Sequence, residues 1–466
     1  MHALTVLRGG TVVTPEGVRR ADVELREGRI ARIDEAIEAP GADVVEVGGR
    51  YVIPGGVDPH THLDTVFRDQ RTADDFSDGT AAALAGGTTT LIDFCIQPRG
   101  VRVGEALERW HARLDVHRPA CDIGCHFAVT DLTVPGALAD LAALPDRGIP
   151  SFKTYMAYPG RTMLEDDGQR QVLDVAARTG ATVLVHAEDG HAIEALIARA
   201  LAAGQVAPRF HARTRPPETE AAAIARIAEL AERAGAALYV VHVSSALGVE
   251  ALVAARERGA AVRGETCPQY LLLDESALDG PVEEAAKFVF TPPPRTAGDR
   301  ARLWRALADD ELAVVSTDHC PFDADGQKRT VEGGDFTTIL NGAPGVEQRL
   351  VLLHEHGVRR GRISLERWVE LCATAPARAF GLAGRKGELT VGADADVVVF
   401  DPERRWTITA AAQRSRVDYS PYEGTTVTGT VERVYRGGRL AVDGGRVLAA
   451  PGDGAFLPRE RPGAGR

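Results

Sequence analysis

Five short apolar runs along this chain each end at side chains that can take part in binding a metal ion. In chain order the runs are YVIPGGVDPHTH with His60 and His62, IPSFKTY with Lys153, ATVLVHAE with His186, ALYVVHVSS with His242, and LAVVSTDHCPF with Asp318. A near-continuous Val/Ile/Leu run is typical of a parallel strand buried on both faces, and the carboxyl ends of such strands form the active-site face of a (β/α) barrel. The ordered series therefore predicts a metal site at the mouth of a barrel.

Amphipathic helices separate these runs. QRQVLDVAARTG is closed by a glycine and leads directly into the run that carries His186. PPETEAAAIARIAELAERAGA has proline near its start, acidic residues in its first turn and a glycine at its end, and it leads into the run that carries His242. These are the usual signals for the two ends of a helix. Strand–helix alternation over 54–384 predicts an α/β fold, a (β/α)8 TIM-type barrel that forms the catalytic domain.

The two ends of the chain have a different hydrophobic pattern from the middle. Residues 1–53 alternate apolar and polar positions between turn pairs, and the same pattern returns over 385–450. Neither half is long enough to bury a core of its own. We expect them to form one small β-sandwich domain, with the barrel inserted between its halves. The Pro/Gly/Arg-rich tail, 451–466, is predicted to be an extended C-terminal arm.

Composition excludes several classes of protein. The 466 residues are 44% hydrophobic and 26% charged, with a formal net charge of −12 that argues against nucleic acid or an anionic membrane as a partner. No apolar run approaches the roughly 20 residues of a membrane span, and the start lacks the apolar core of a signal peptide. Six scattered cysteines are expected to be reduced thiols, so we predict a cytoplasmic protein.

The histidines and the aspartate can be interpreted in two ways. His60 and His62 are two residues apart, so on a strand they share one face and can chelate one ion. His186 and His242 could each be a core histidine, but together with the HxH pair they favour a metal site. Asp318 precedes a proline-containing loop, where it could cap a turn or could bind a metal and carry protons.

Lys153 is the unusual member of the series. Inside a barrel its charge is unfavourable, so the side chain either pairs with a carboxylate at the mouth or is held neutral. A neutral lysine amine can add CO2 to give a carbamate, whose two oxygens can bridge two metal ions. A separate cluster, Cys121, Cys125 and His126, could suggest a zinc knuckle, but without a second ligand pair a structural role is favoured.

The motifs taken together resemble those of a known family. DPHTHLD, TADDF, GGTTTLIDF, SFKTYMAY, VHAE, VHVSS, ETCPQYL, STDHCPF, NGAPGVE and VDYSPYEG resemble the cyclic amidohydrolases and, within them, the dihydropyrimidinase/D-hydantoinase group. The likeness extends over nearly the whole chain. It implies reversible ring-opening of a small cyclic amide, a 5,6-dihydropyrimidine or a 5-substituted hydantoin, to an N-carbamoyl amino acid. It also implies a homotetramer.

The resemblance assigns roles to individual residues. It implies two divalent metal ions, most simply zinc with manganese as the alternative. The first would be bound by His60, His62 and Asp318, the second by His186 and His242, with carboxylated Lys153 bridging them. Asp318 would also transfer the proton in catalysis. Tyr158 would donate a hydrogen bond to the oxyanion, and backbone groups at Thr291 and Asn341 would bind the ring imide. The family usually has serine at the position of Thr291.

Three related kinds of protein, two enzymes and one non-catalytic protein, differ from this chain in their motifs. A dihydroorotase-like enzyme has arginine two residues after the HxH pair to bind a substrate carboxylate, whereas this chain has Asp64, which is expected to repel one. Allantoinase-like chains have Asn-Glu-Pro-Gly in that loop, which is missing here. Non-catalytic assembly proteins related to dihydropyrimidinase have lost metal ligands, whereas this chain keeps all six.

Two loops are predicted to lie over the barrel mouth. They carry Phe67 and Met163, which would favour an alkyl or aryl substituent on the substrate. They also carry Arg68 and Arg161, which are either solvated surface arginines or side chains that favour a substituent with a carboxylate.

Overall fold

Two large β-sheets contain most of the strands in the computed structural model, which describes residues 4–329 and 334–462. The strands are β1 Thr5–Thr14, β2 Gly17–Arg26, β3 Arg29–Asp34, β4 Asp43–Glu46, β5 Tyr51–Pro54, β6 Gly56–Thr61, β7 Val66–Phe67, β8 Gln70–Arg71, β9 Thr88–Ile96, β10 Asp122–Ala128, β11 Ser151–Tyr155, β12 Thr182–His186, β13 Ala237–Val240, β14 Val262–Thr266, β15 Val314–Val315, β16 Val397–Thr407, β17 Thr426–Arg436, β18 Arg439–Asp443 and β19 Arg446–Val447.

Helices follow most of the central strands. The α-helices are α1 Phe76–Ala85, α2 Val103–His117, α3 Ala137–Ala143, α4 Asp166–Thr179, α5 Gly190–Ala202, α6 Arg209–Arg213, α7 Pro217–Ala234, α8 Ala246–Glu257, α9 Pro268–Leu272, α10 Val282–Ala285, α11 Ala297–Ala308, α12 Arg349–Leu353, α13 Leu365–Val369 and α14 Ala375–Ala379. Short 3-10 turns span Pro145–Arg147, Glu275–Leu278, Ala286–Phe288 and Ala410–Ala412, and π turns span His354–Val358 and Glu370–Thr374. None of the described helices is long and apolar enough to cross a bilayer.

The two chain ends form one sheet. Its strand order is β19-β18-β17-β16-β5-β1-β2-β3, with β4 paired to β1. The N-terminal half meets the C-terminal half where β5 pairs antiparallel with β16, Val52 opposite Val399. Side chains from both halves then share one buried cluster. The predicted β-sandwich built from both ends is confirmed.

The central strands form a parallel eight-stranded sheet in the order β6-β9-β10-β11-β12-β13-β14-β15. The predicted helices lie between them: α4 ends before Gly180 (φ 71°) and α7 before Gly235 (φ 67°), and in both cases the next strand begins two residues later. Glycine accepts this left-handed conformation without the strain of a side chain. The predicted (β/α)8 TIM-type barrel is confirmed.

The barrel closes between its first and last strands through a short backbone bridge and buried side chains. Asp58 of β6 accepts a hydrogen bond from the Thr317 hydroxyl at 2.6 Å, and Thr61 forms a parallel bridge with His319. Arg349, fully buried at the start of α12, donates from Nη1 to the carbonyl oxygens of Val57 at 2.9 Å and Val315 at 3.0 Å. One guanidinium therefore joins β6 to β15, and this contact completes the barrel.

The C-terminal arm packs against the barrel over its described part, 451–462. Backbone hydrogen bonds join it to Ile123 at the start of β10 and to Gly148 before β11. Arg459 is buried and donates from Nη2 to the Cys125 carbonyl at 2.6 Å and to Ser151 Oγ at 2.7 Å. Burial lowers the pKa of Arg459 to about 10. The arm therefore contacts strands β10 and β11, while 463–466 of the predicted arm lie outside the described residues.

Arg349→Met tests the closing contact. Each buried carbonyl left without its donor costs about 1–3 kcal/mol, so we expect the free energy of unfolding to fall by roughly 2–6 kcal/mol. The measurement is urea unfolding followed by circular dichroism. Arg359→Met is the control, because Arg359 is exposed and makes only a 3.5 Å ion pair with Glu355. Equal effects of the two substitutions would contradict the role of Arg349.

Candidate metal centre

The first and last barrel strands bring three of the predicted ligands together. His60 lies in β6, His62 follows it, and Asp318 lies three residues after β15. Asp318 Oδ1 is 3.1 Å from His60 Nε2 and 3.2 Å from His62 Nε2. Among the described residues, this is the one group of three or more His, Cys, Asp or Glu side chains whose ligand atoms all lie within 4.8 Å of one another. Its composition, two imidazoles and a carboxylate, suits a divalent ion.

Two further histidines lie next to this group. His186 is the last residue of β12 and His242 follows β13, and both are buried. His186 Nδ1 is 3.0 Å from His242 Nε2, and the ring centroids of His60 and His242 are 5.5 Å apart. Burial lowers the pKa of both His186 and His242, which favours the neutral imidazole that binds a metal ion.

Lys153 reaches the same space from β11. It is 1% exposed, and its Nζ lies 5.4 Å from the ring centroid of Phe94 and 5.5 Å from that of Tyr155. Burial lowers the pKa of Lys153 to about 7, although the charges of Asp318 and Glu265 raise it. The amine is therefore available in its neutral form near neutral pH.

Two carboxylates that the sequence analysis did not assign orient the histidines. Glu265 Oε1, in β14, is 2.6 Å from His60 Nδ1, and Glu265 Oε2 accepts the Tyr239 hydroxyl at 2.8 Å. Glu188 Oε2 is 2.8 Å from His186 Nε2. A carboxylate on one ring nitrogen fixes the tautomer and points the other nitrogen at the ion, as is typical of metal-binding histidines. Both glutamates lie inside motifs quoted above, HAE and ETCPQYL, at the ends of buried strands, which is the signal that could have identified them.

The pKa shifts of His60, His62 and Asp318 indicate that this cluster suits a bound cation. Burial would lower the pKa of His60, but Asp318 and Glu265 outweigh it and raise the pKa to about 9. Burial would raise the pKa of Asp318, but His60 and His62 hold it well below its usual range. Burial lowers the pKa of His62 to about 4, and within the part of the chain that the structure describes no hydrogen-bond partner faces the buried His62 Nδ1. A divalent cation would take the place of the proton that Asp318 and Glu265 hold on His60, so the two imidazoles and the carboxylate match its donor set.

The backbone is strained at three of the predicted site residues. Asp318 has φ 50°, His242 has φ 41° and Tyr158 has φ 66°. Residues with a side chain rarely adopt this left-handed region, and such outliers are concentrated at functional sites. The surrounding fold therefore holds these three side chains in positions that local preference would not choose.

Of the three proposed substrate residues, Tyr158 lies beside His186, and Thr291 contacts Tyr158. The ring centroids of Tyr158 and His186 are 5.5 Å apart. Burial raises the pKa of Tyr158 to about 12, against a hydrogen bond with Thr291 that lowers it, so the phenol keeps its proton. Asn341 Oδ1 is buried and has no hydrogen-bond partner among the residues that the structure describes. The Gly342 amide donates to the Val289 carbonyl at 3.2 Å, so the segments that contain Thr291 and Asn341 are neighbours.

The sequence-based inference about Asp64 is wrong. Asp64 is 1% exposed, and its carboxylate forms ion pairs with Arg71 and with Arg113 Nε, the latter at 3.0 Å. Its charge is therefore neutralised by two arginines and does not repel a ligand. Arg68 on the same loop is exposed and donates from Nη2 to the Thr337 carbonyl at 2.7 Å.

The cysteine cluster forms no metal site. His126 contacts Ser151 Oγ at 2.7 Å and the Pro59 carbonyl at 3.0 Å through its two ring nitrogens. Cys121 and Cys125 are free and buried, and burial raises the pKa of both thiols, that of Cys125 to about 12. Thiols that stay protonated are poor metal ligands, which agrees with the favoured structural role.

A barrel whose strand ends gather two histidine pairs, an aspartate and a buried lysine defines a class of hydrolase. The chain matches the amidohydrolase family over residues 51–441 and belongs to that family. It is 45% identical over 466 residues to a D-hydantoinase of Streptomyces coelicolor, with 98% of each chain covered. It is 43% identical over 456 residues to a D-hydantoinase of Rhizobium radiobacter, covering 98% of this chain and 99% of that one. The crystal structure of a dihydropyrimidinase from Brevibacillus agri superimposes with a TM-score of 0.95 at 41% identity, covering 98% and 99% of the two chains.

These similarities extend over the whole chain and establish an enzyme, a cyclic amidohydrolase. The non-catalytic assembly alternative is thereby rejected. Membership of the family implies a binuclear centre of divalent metal ions. The buried donor set described above fits such a centre, with His60, His62 and Asp318 as the group best suited to one ion.

Glu265→Gln tests how the histidines are oriented. A neutral amide oxygen accepts the His60 Nδ1 hydrogen more weakly than a carboxylate and no longer makes the imidazole more basic, so we expect metal affinity to fall by about 10–100-fold. The measurement is the chelator concentration that removes half of the bound metal. Glu24→Gln is the control, because Glu24 is also buried but pairs with Arg26 in the terminal sheet. Unchanged metal retention in Glu265→Gln would contradict this role.

Proposed function

We propose that the chain hydrolyses the ring amide of 5-substituted hydantoins and 5,6-dihydropyrimidines to give N-carbamoyl amino acids. The observation that carries the proposal is the burial of Lys153 in the same barrel mouth as two groups of metal-competent side chains, His60, His62 and Asp318 in one and His186 and His242 in the other. The D-hydantoinase and dihydropyrimidinase relatives support the class of substrate.

The proposed centre contains two metal ions. We propose that His60, His62 and Asp318 hold one and that His186 and His242 hold the other, zinc in the native protein with manganese as a substitute. Carboxylated Lys153 would bridge them: a neutral amine adds CO2, forms an N–C bond and releases one proton. The lowered pKa of Lys153, caused by burial, favours this step. When bound, the ions would polarise the ring carbonyl and lower the pKa of the attacking water.

Asp318 is proposed to move the proton. Its carboxylate stays ionised because the imidazoles of His60 and His62 outweigh burial and hold its pKa well below the usual range. It can accept the proton of the attacking water and then deliver it to the ring nitrogen as the C–N bond breaks. The strained backbone at Asp318 supports this role, because strain at a single residue is typical of groups that must be positioned for chemistry.

Tyr158, Thr291 and Asn341 are proposed to bind the substrate. Tyr158 keeps its proton near neutral pH, so its hydroxyl can donate a hydrogen bond to the oxygen that becomes negative as the carbonyl is attacked. Backbone groups of Thr291 and Asn341 would bind the ring imide and orient the carbonyl. The extra methyl of threonine, compared with serine, leaves a backbone contact unchanged.

The test of the function is a turnover panel. The substrates are dihydrouracil, dihydrothymine, hydantoin, both hands of 5-benzylhydantoin, and allantoin, each followed by loss of the ring. We expect ring-opening of a hydantoin or a dihydropyrimidine, loss of turnover after chelation, and recovery on adding Zn²⁺ or Mn²⁺. Turnover of allantoin alone would favour the allantoinase alternative. Turnover of no substrate by metal-loaded protein would contradict the proposal.

Tyr158→Phe tests the oxyanion contact. Removing one donor to the developing charge lowers kcat by about 10²–10³. Metal content and thermal stability should stay unchanged, because only a hydroxyl is lost. Tyr155→Phe is the control, since Tyr155 is buried near the same histidine, with its ring centroid 6.1 Å from that of His186. Wild-type kcat in Tyr158→Phe would show that the residue only packs.

The proposed oligomeric state and cellular location rest on the family resemblance. We propose a homotetramer in the cytoplasm, and light scattering on the purified protein would measure its mass.

A further inference from the structure

Lysine is used sparingly in this chain. Of its 54 basic residues, the lysines are Lys153, Lys287, Lys328 and Lys386. Lys287 forms a surface ion pair with Glu284. The other three are buried. Lys153 belongs to the proposed metal centre, and Lys386 forms ion pairs with three aspartates. Lys328 belongs neither to the proposed metal centre nor to the ion pairs of Lys386.

Lys328 is held by backbone carbonyls. It is fully buried in the loop after β15, and its Nζ donates to the carbonyl oxygens of Val289 at 2.9 Å and Leu340 at 2.8 Å. Burial lowers the pKa of Lys328 to about 7. Both the ammonium and the neutral amine have enough N–H groups for two carbonyls, whereas an arginine would bring five donors that need partners. This accounts for lysine at this position in a chain that otherwise uses arginine.

The two carbonyls lie beside the proposed substrate contacts. Val289 is two residues before Thr291, and Leu340 directly precedes Asn341. The Val289 carbonyl also accepts the Gly342 amide at 3.2 Å, so it is a shared junction of the two segments. Lys328 therefore joins one segment to the other through a single nitrogen.

The segment that contains Asn341 is also joined, on the C-terminal side of Asn341, to the strand end that carries Asp318. The Ala343 carbonyl accepts the Cys320 amide at 3.0 Å, two residues after Asp318. Gly342 packs so closely on Cys320 that a Cβ there would lie 2.9 Å from its Sγ. Asn341 is thus held between Lys328 on one side and the strand end that carries Asp318 on the other.

We propose that Lys328 is a positioning residue that sets the spacing between the Thr291 and Asn341 segments and so orients the substrate ring over the metal centre. The inference rests on the proposed function, since it assumes that these segments bind the ring. Lys328 itself does not touch substrate. The same backbone groups would hold the ring before and during the reaction, so their displacement weakens binding of both states and raises KM more than it lowers kcat.

The experiment compares Lys328→Met with Lys386→Met by steady-state kinetics on the ring that the wild type opens. A shift of about 1 Å in a positioning contact can cost up to about 100-fold, so we expect Lys328→Met to raise KM at least about tenfold. Its kcat should stay within about threefold of wild type, with unchanged metal content. Lys386→Met loses its ion pairs with Asp122, Asp394 and Asp396, and it should lower the thermal midpoint without changing KM.

Hydrogen exchange of the substrate-free protein supplies a second readout. Lys328→Met should lose protection at 289–291 and 340–342, whereas Lys386→Met should keep it. Lys328→Gln, whose amide nitrogen is one bond nearer the backbone than Nζ and falls short of both carbonyls, replaces Lys328→Met if the latter does not fold, with a smaller effect in the same direction expected.

The outcomes separate this inference from the proposed function. A wild type that opens no hydantoin or dihydropyrimidine ring overturns the function, and this inference with it. A wild type that is active, with an unchanged KM in Lys328→Met or an equal rise in Lys386→Met, overturns only the role of Lys328. Retained protection at both segments in Lys328→Met does the same.

Discussion

Closure of the barrel between its first and last strands is the constraint on which the metal centre depends. His60 lies in β6 and His62 directly follows it, whereas Asp318 comes from the loop after β15, more than 250 residues later. The last strand is only two residues long, so backbone pairing across the seam is short, with a bridge between Thr61 and His319. The Asp58–Thr317 hydrogen bond and the Arg349 guanidinium reinforce it. Because the seam closes, Asp318 Oδ1 reaches within hydrogen-bond distance of the imidazoles of His60 and His62.

Burial then determines the chemistry of each group. Desolvation disfavours charge, so histidines and lysines in this space lose protons unless a carboxylate faces them. Glu265 and Glu188 each hold one histidine by the nitrogen that points away from the centre. Lys153 forms no ion pair with any described carboxylate and is shifted toward its neutral form, which is the form that can react with CO2. The same physical effect thus favours a neutral imidazole at His62, His186 and His242 and a reactive amine at Lys153.

Local pattern was sufficient to predict the fold and the meeting of His60, His62 and Asp318. Apolar runs, glycine helix ends and strand-end histidines are set by residues close in sequence, so they could be recognised without coordinates. Contacts between distant residues could not be recognised in this way. Glu265 and His60 are 205 positions apart, and the partners of Arg349 and Lys328 are carbonyl oxygens, which leave no trace in residue type. Asp64 was misjudged for the same reason, since Arg113, which neutralises it, lies on a helix that follows the next strand.

The central claim is that the closed barrel holds two divalent ions with Lys153 between them. The most direct test is the ratio of metal to protein in chain purified without added metal or chelator, determined by elemental analysis for wild type and for Lys153→Ala. The account predicts two divalent ions per chain in the wild type and at most one in Lys153→Ala. A wild type that opens its substrate ring without bound metal, or a Lys153→Ala chain that keeps two ions, would contradict it.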